Sequence, residues 1–374
     1  MTLNNDLEIF LTTAPGLETV LHKEVIEKGF RKPKSITGGV TIKGSWKDVW
    51  RANLELRGAS RVLVRLGSFK VNHLAKLDKL ARGFPWSDTL RPKVPVRVEV
   101  TCVKSRIYHD KAAAERIERA IHEELGVEIS PDADICIKAR IANDICTISV
   151  DTSGEALHKR GHKEGVGKAP MRENIAALLL RACGFKGNEP VVDPMCGSGT
   201  FVIEAAEIAS RLKAGRSRHF AFEQMVPFDD AVWRDLKDRK NERTPEDHFY
   251  GFDRDSGAIR MSKANAERAS LSPLTDFGVQ SISDLTPPEG PDGPVGLVII
   301  NPPYGVRIGE TKHLLPLYQT MGQVLKSGFS GWRVGLVTSS DSLAHATGLP
   351  FITPPTAFSH GGLSVKLFTT EALP

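Results

Sequence analysis

Residues 190–206 read Pro190-Val-Val-Asp-Pro-Met-Cys-Gly-Ser-Gly-Thr-Phe-Val-Ile-Glu-Ala-Ala206. A short apolar strand ends at Asp193, a loop carrying Gly197 and Gly199 follows, and a helix begins. Glycine lets the backbone turn sharply and approach a ligand closely, and the helix start offers free N–H groups beside it. A dinucleotide fold wants a third glycine at position 202 to accept a pyrophosphate, but valine stands there. The loop also carries an acid, Asp193, which repels phosphate and attracts an ammonium. Both departures favour S-adenosylmethionine over NAD as the cofactor, since it offers a zwitterionic methionine end, a sulfonium and a nucleoside. Two further acids suit such a ligand. Asp253, ending the strand in YGFDRD, can accept from both ribose hydroxyls, and Asp284, in SISD after a predicted strand, can bind the adenine amino group.

Residues 296–300, GLVII, form a buried-strand run followed at once by Asn301-Pro302-Pro303-Tyr304. In doubly wound sheets ligands bind beyond the carboxyl ends of strands, so this loop should lie beside the glycine loop. Two prolines hold the backbone extended and leave carbonyl acceptors without N–H donors. The Asn301 side-chain oxygen and the Pro302 carbonyl make a pair of acceptors, and Tyr304 gives an aromatic face. That set suits a planar amine conjugated to a ring or carbonyl, methylated through alignment and electrostatics without a strong base. Cys196 invites a nucleophile reading, but methyl transfer from a sulfonium needs no covalent intermediate.

Outward from these loops the chain alternates strands and helices. Strands are expected at 191–193, 250–253, 276–280, 295–300 and 333–338, and helices at 169–183, 199–212, 256–269 and 314–326, which predicts a mostly parallel, doubly wound sheet. Residues 213–248 read as a charged insertion. The first 155 residues read as two small α+β units, 1–60 and 61–155, with a hairpin turned at Asn143-Asp144. Residues 158–168, HKRGHKEGVGK, are basic and glycine-rich without apolar periodicity, the pattern of a linker or exposed loop. Lys159, Arg160 and Lys163 there, and Arg307 after the proline pair, are candidate phosphate contacts. Arg61, Arg65, Lys70, Lys76 and Lys79 are candidates for a basic N-terminal surface. The five tryptophans, at 46, 50, 86, 233 and 332, read as core or interface, not as base-stacking platforms.

DPMCGSGTFVIEAA followed by NPPYGVRIGE resembles class I methyltransferases that modify guanine N2 in RNA. HKRGHKEGVGKAPMRENIAALLL and FAFEQMVPFDDAVWRDLK are similar to segments of the same enzymes, and the N-terminal units resemble a ferredoxin-like domain followed by a THUMP RNA-binding domain. The family is that of THUMP-containing 23S rRNA guanine-N2 methyltransferases and the related tRNA enzymes. The resemblance implies an α/β architecture. A ferredoxin-like domain (1–60) and a THUMP domain (61–155) would precede a linker (156–168) and a Rossmann-like methyltransferase domain (169–374) with a seven-stranded sheet. It implies that Asp193, Gly197, Ser198, Gly199 and Thr200, with Met195 and Cys196 in the same loop, line the methionine end. Asp253 would hold the ribose and Asp284 the adenine. Asn301, counted also among the cofactor contacts, would hold the guanine amine with the Pro302 carbonyl, in the loop shared by Pro303 and Tyr304. The fused rRNA enzymes carry a second methyltransferase domain that this sequence lacks, so the choice between rRNA and tRNA stays open.

Composition agrees with this reading. The chain has 374 residues and a net charge of +5, yet residues 51–100 alone hold 11 basic against 4 acidic residues. Such a localised excess suits a polyanion partner. No run of 18 apolar residues exists to make a transmembrane helix. The polar Met1–Phe10 is not a secretory signal. Five cysteines without a CxxC pair argue against a disulfide framework or zinc knuckle. A reducing cytoplasm, RNA as partner and no metal are the expectations. The alternatives are a DNA adenine-N6 or protein glutamine-N5 methyltransferase, which use similar loops, and a non-catalytic RNA-binding scaffold.

Overall fold

The computed structural model describes residues 6–164, 171–288, 290, 293–304 and 310–374. The first stretch runs β1 (Leu7–Thr12), α1 (Glu18–Glu27), β2 (Arg31–Ile36), β3 (Gly39–Gly44), α2 (Trp46–Glu55), β4 (Arg61–Lys70) and α3 (Leu74–Arg82). It continues with β5 (Val96–Val103), α4 (Asp110–Leu125), β6 (Ile135–Ala142) and β7 (Ile145–Asp151). These strands form one seven-stranded sheet in the order β2-β3-β1-β4-β7-β6-β5. Period-two alternation builds it: Ile9 and Leu11 of β1 are fully buried, as are Val62 and Val64 of β4. The β6–β7 hairpin turns through Asn143 and Asp144, both at positive φ (51° and 62°), the twist a two-residue turn requires. The division expected at residue 60 does not separate two sheets, because β1 pairs with β4 across it, Glu8 opposite Arg65 and Thr12 opposite Arg61. Strand β2 carries the basic sequence RKPKSI and escaped the apolar pattern because it is an exposed edge strand.

The remainder runs α5 (Glu173–Ala182), β8 (Val191–Asp193), α6 (Thr200–Ala209), α7 (Asp230–Asp238), β9 (Phe249–Asp253), α8 (Ser256–Arg268) and β10 (Thr275–Val279). Then come β11 (Leu297–Ile300), α9 (Glu310–Gly328), β12 (Arg333–Thr338), α10 (Asp341–Ala346), β13 (Thr356–His360) and β14 (Leu363–Thr369). The second sheet also has seven strands, ordered β10-β9-β8-β11-β12-β14-β13. The five from β10 to β12 are parallel, and β14 and β13 add an antiparallel edge that the sequence rhythm did not reveal. All four residues of β11 are fully buried, as a central parallel strand covered on both faces requires.

The chain divides into two units, one of Met1–Thr13, His22–Leu157 and Arg218–Lys240, the other of Ala14–Leu21, His158–Ser217 and Asn241–Pro374. Much of the charged insertion thus belongs with the N-terminal sheet. Its aromatic residues explain why: Phe222 lies 6.1 Å from the Trp50 ring, and Trp233 packs edge-on to Phe222 at 5.0 Å. All five tryptophans are buried. Among the described residues, no helix is long and apolar enough to cross a membrane.

Candidate active site

The strand order of the second sheet brings the predicted loops together. From β8 the chain moves outward to β9 and β10, then returns to β11 on the other flank of β8, so the order reverses between β8 and β11. Leu297 and Val298 pair with Val191 and Val192, which carries Asp193 and the end of β11 to the same edge. Adjacent strands lie about 4.8 Å apart. Four carboxyl ends therefore stand in a row: Asp284 beyond β10, Asp253 closing β9, Asp193 closing β8 and Asn301 following β11.

Hydrogen bonds fix the glycine loop from three sides. Asp193 Oδ1 accepts from the Met195 N–H (3.0 Å), and the Cys196 N–H donates to the Phe252 carbonyl (2.9 Å). The Gly197 N–H donates to Asp253 Oδ2 (3.1 Å). From α8, the Ser262 hydroxyl donates to the Gly197 carbonyl (2.8 Å) and Asn265 Nδ2 to the Ser198 carbonyl (3.1 Å). Gly197 and Gly199 sit at φ +52° and +79°, where an L side chain is strained. Their surroundings differ. A Cβ on Gly199 would stand 3.1 Å from the Phe277 ring, whereas one on Gly197 would meet nothing within 4 Å. The second glycine is needed for packing, and the first opens onto free space.

Electrostatics distinguish the acids. Asp193 is 2% exposed, and burial, with the nearby Asp253 charge adding to it, pushes its carboxyl up to about 8. A cation placed there would recover the ionised form. The half-buried Asp253 accepts one N–H on each oxygen, from Gly197 and from Asp255 (2.9 Å), and keeps a lone pair on each for further donors. The exposed Asp284 closes a 3-10 turn, Ile282–Asp284, whose Ile282 is buried, and its Oδ1 accepts from the Ser283 hydroxyl at 3.1 Å. Burial raises the Cys196 thiol well above its usual range, which removes it as a nucleophile. A buried acid, a glycine facing open space and a carboxylate with lone pairs left for further donors fit S-adenosylmethionine.

The loop after β11 holds Asn301 with its Oδ1 buried and without a hydrogen-bond partner among the described residues. Such an orphan acceptor costs about 1–3 kcal/mol until a donor arrives. Pro302 is buried, Pro303 exposed and Tyr304 half-buried. A residue not singled out in the sequence anchors them. The fully buried Tyr318, on α9, places its hydroxyl 3.2 Å from the Pro303 carbonyl and 3.3 Å from Thr338 Oγ1. The sequence signal was weak, an aromatic residue in an amphipathic helix.

Two candidate phosphate contacts are corrected. Arg160 is 1% exposed and its Nε donates to Glu204 on α6 at 3.0 Å. Lys163 Nζ donates to Thr200 Oγ1 (2.9 Å) and the Met171 carbonyl (3.1 Å), and pairs with Glu173 (3.2 Å). Both cations are inside the protein and brace the start of α6, so neither reaches RNA phosphates, and the Thr200 hydroxyl is engaged by Lys163. His162 is buried too, with its pKa lowered by burial. Lys159 is exposed. Arg307 lies outside the described residues. In the N-terminal sheet, Arg61 pairs with the buried Asp151 (2.6 Å) and Arg65 with Glu8, and both arginine side chains stay partly exposed.

A doubly wound sheet with this glycine loop and proline-rich strand end defines a class I methyltransferase, a class that uses S-adenosylmethionine. Residues 160–352 match the RMKL-like methyltransferase domain, and residues 8–63 match the RlmL ferredoxin-like domain. The chain belongs to the RMKL-like methyltransferase family. Among solved structures it is similar to a possible methylase from Clostridium difficile 630, with a TM-score of 0.87, 27% identity and 99% of each chain covered. It is similar to SMU.472, a presumed methyltransferase complexed with SAH, with a TM-score of 0.85, 25% identity and 99% of each chain covered. A predicted N6-adenine-specific DNA methylase from Listeria monocytogenes gives a TM-score of 0.84 at 29% identity, over 98% of this chain and 96% of the other.

Proposed function

We propose that this methyltransferase transfers a methyl group to the exocyclic N2 of a guanosine in structured RNA, with 23S rRNA as the favoured substrate. The observation that carries the reading is the Asn301 Oδ1, buried and without a hydrogen-bond partner among the described residues, in the loop that follows the strand paired with β8. A planar amine has two hydrogens, and Asn301 Oδ1 and the Pro302 carbonyl supply two acceptors for them. Holding both hydrogens favours a pyramidal nitrogen whose lone pair is available. S-adenosylmethionine supplies an electrophilic methyl on a sulfonium. Asp193 and the Gly197 turn hold the methionine end, Asp253 the ribose and Asp284 the adenine. Tyr304 stacks on the target base, and Tyr318 keeps the loop rigid from beneath. No side chain needs to act as a strong base, because the amine becomes acidic once it takes the methyl. Alignment and electrostatics supply the rate.

RNA as substrate is supported by the RlmL ferredoxin-like match at residues 8–63 and by the basic excess in 51–100. The Listeria relative's name supports the competing target, adenine N6 in DNA, since the same two acceptors fit that amine. Incubating the protein with methyl-labelled cofactor and either total RNA or genomic DNA, followed by nucleoside analysis, separates the two. Label is expected in N2-methylguanosine from RNA. Label confined to N6-methyladenine from DNA refutes the proposal. Asn301→Ala should lower the rate at least about 100-fold while leaving S-adenosylhomocysteine affinity within about twofold.

A further inference from the structure

The carboxyl edge of the catalytic sheet carries an apolar side chain that no step above uses. Strands β12 and β14 pair as far as Thr338 opposite Lys366, but β14 and β13 go on pairing to His360 opposite Leu363. The hairpin therefore overhangs the end of β12 and turns through Gly361 and Gly362, both at positive φ (59° and 82°). Its base is anchored by Phe358 opposite Val365, both buried. The Ser359 N–H donates to the Pro15 carbonyl at 3.0 Å, which braces the outer strand. The tip is bare: Gly361, Gly362, Leu363 and Ser364 are all exposed.

Register fixes where the tip stands. Ile300 pairs with Leu336 and Leu336 with Phe368, which sets Asn301 level with Leu367. Leu363 lies four residues further out, about 13 Å beyond Asn301 along the strands and about 10 Å to the side, two strand spacings. Alternation puts Leu363 on the face of the buried Val365 and Leu367. That face is the α5 side, because a Cβ added at Gly335 would meet both Leu367 Cδ1 and Cys183 Sγ, at the end of α5. His360 shares the face as the cross-strand partner of Leu363. Burial, and then the Arg172 charge at the start of α5, lower its pKa. Among the described residues, the other exposed large apolar side chains of the catalytic unit sit elsewhere. Val279 pairs with Asp253 on the far flank, while Val295 precedes β11 and the Ile352 N–H donates to the Thr369 carbonyl, both toward the amino edge.

A guanosine amine inside an RNA stem is out of reach of Asn301. One of its hydrogens is committed to the partner base and both ring faces are stacked, so the nucleotide must leave the stack. The gap it leaves is costly, and proteins that part stacked bases fill the opening with apolar side chains. We infer that the β13–β14 hairpin is a wedge that enters the RNA stem at the target nucleotide, with Leu363 filling the space the extruded guanine vacates. The inference rests on the reading of the substrate as a guanosine in structured RNA. Leu363 touches the bases left behind and not the reacting amine, so it is a positioning residue that lowers the cost of presenting a paired guanosine. The offset between Leu363 and Asn301 leaves room for one extruded nucleotide.

The test uses the full-length chain, methyl-labelled S-adenosylmethionine and total RNA in which the labelled guanosine is mapped. The RNA that carries it is then transcribed twice, once with its native sequence and once with the pairing partner of that guanosine changed so that it stands unpaired. Leu363→Ala should lower kcat on the native RNA by about 10- to 100-fold and on the unpaired RNA by less than about threefold. Leu363→Met, which restores apolar volume, should keep at least about a third of the native rate. S-adenosylhomocysteine affinity should be the same in all variants, which shows that the fold is intact. Label in no RNA overturns the substrate reading and this inference with it. Labelled RNA with an equal loss on both transcripts, or with no loss on the native one, overturns the wedge alone. So does a mapped guanosine that chemical probing finds already unpaired in the free RNA.

Discussion

Asp193→Asn should make the cofactor-free protein more stable and its cofactor site worse. The carboxyl ionises near 3.8 in the unfolded chain and, when buried in the folded one, only at about 8. At pH 7 folding must therefore protonate it, at a cost on the order of 4 kcal/mol, of which relaxation around the site leaves about half. Asparagine has no charge to lose and keeps an oxygen for the Met195 N–H. The variant should gain about 2 kcal/mol in urea unfolding at pH 7. The sign sets the pH window. The stability associated with the protonated carboxyl is complete below pH 3.8, falls as pH rises to about 8, and is flat above it. The advantage of Asp193→Asn should therefore vanish near pH 4 and be largest from pH 8 upward. Calorimetry supplies the second half. In the wild type, the ammonium of S-adenosylhomocysteine should drive the proton off Asp193, so binding at pH 7 releases a proton and its heat depends on the buffer. In the variant that release should disappear and affinity should fall about 30-fold, the loss of one charge-assisted hydrogen bond of about 2 kcal/mol. A variant less stable than wild type at pH 7, or one that binds with unchanged affinity and proton release, would refute the assignment of Asp193 to the ammonium.

Gly197→Ala forces alanine into the left-handed region, costing about 1 kcal/mol. Because its Cβ meets no protein atom, a loss of S-adenosylhomocysteine affinity beyond about tenfold would report contact with the cofactor; unchanged calorimetric affinity would show that the open space is not its berth. Arg160→Ala removes the guanidinium paired with the buried Glu204 carboxylate and should destabilise the protein by about 3–5 kcal/mol in urea unfolding. Intact stability with lost RNA affinity would instead mark Arg160 as an RNA contact. Tyr318→Phe should lower kcat about 3- to 10-fold, the worth of one hydrogen bond, without changing S-adenosylhomocysteine affinity. A changed affinity with normal kcat would mean that α9 supports the cofactor and not the Asn301 loop.

The glycine loop and the Asn301-Pro302-Pro303-Tyr304 turn were legible because each demands residues that have few other uses: glycines at positive φ, prolines where no N–H is wanted. Their adjacency followed from the rules of parallel sheets once β8 and β11 were recognised. Burial of charge was not legible. Arg160 and Lys163 sit in a run that looks solvated, and their acids, Glu204 and Glu173, are 44 and 10 positions away. Local sequence carries no record of such pairings. Strand β2 was hidden by its lysines and arginine. Asp253 was read for its carboxylate toward ribose, whereas its bond to the Gly197 N–H, which shapes the loop itself, needed coordinates.

The chain does not give each of its two units one uninterrupted length. Phe220 to Trp233 emerge from within the catalytic half of the sequence yet stack around Trp50. Any single cut intended to liberate the catalytic part would strand a bare cluster of phenylalanine and tryptophan rings in water. A fragment made that way should precipitate or grip detergent, and its silence in an assay would say nothing about catalysis. Even excision of residues 218–240 together with the leading segment would take away Ala14–Leu21, which belong with the catalytic fold.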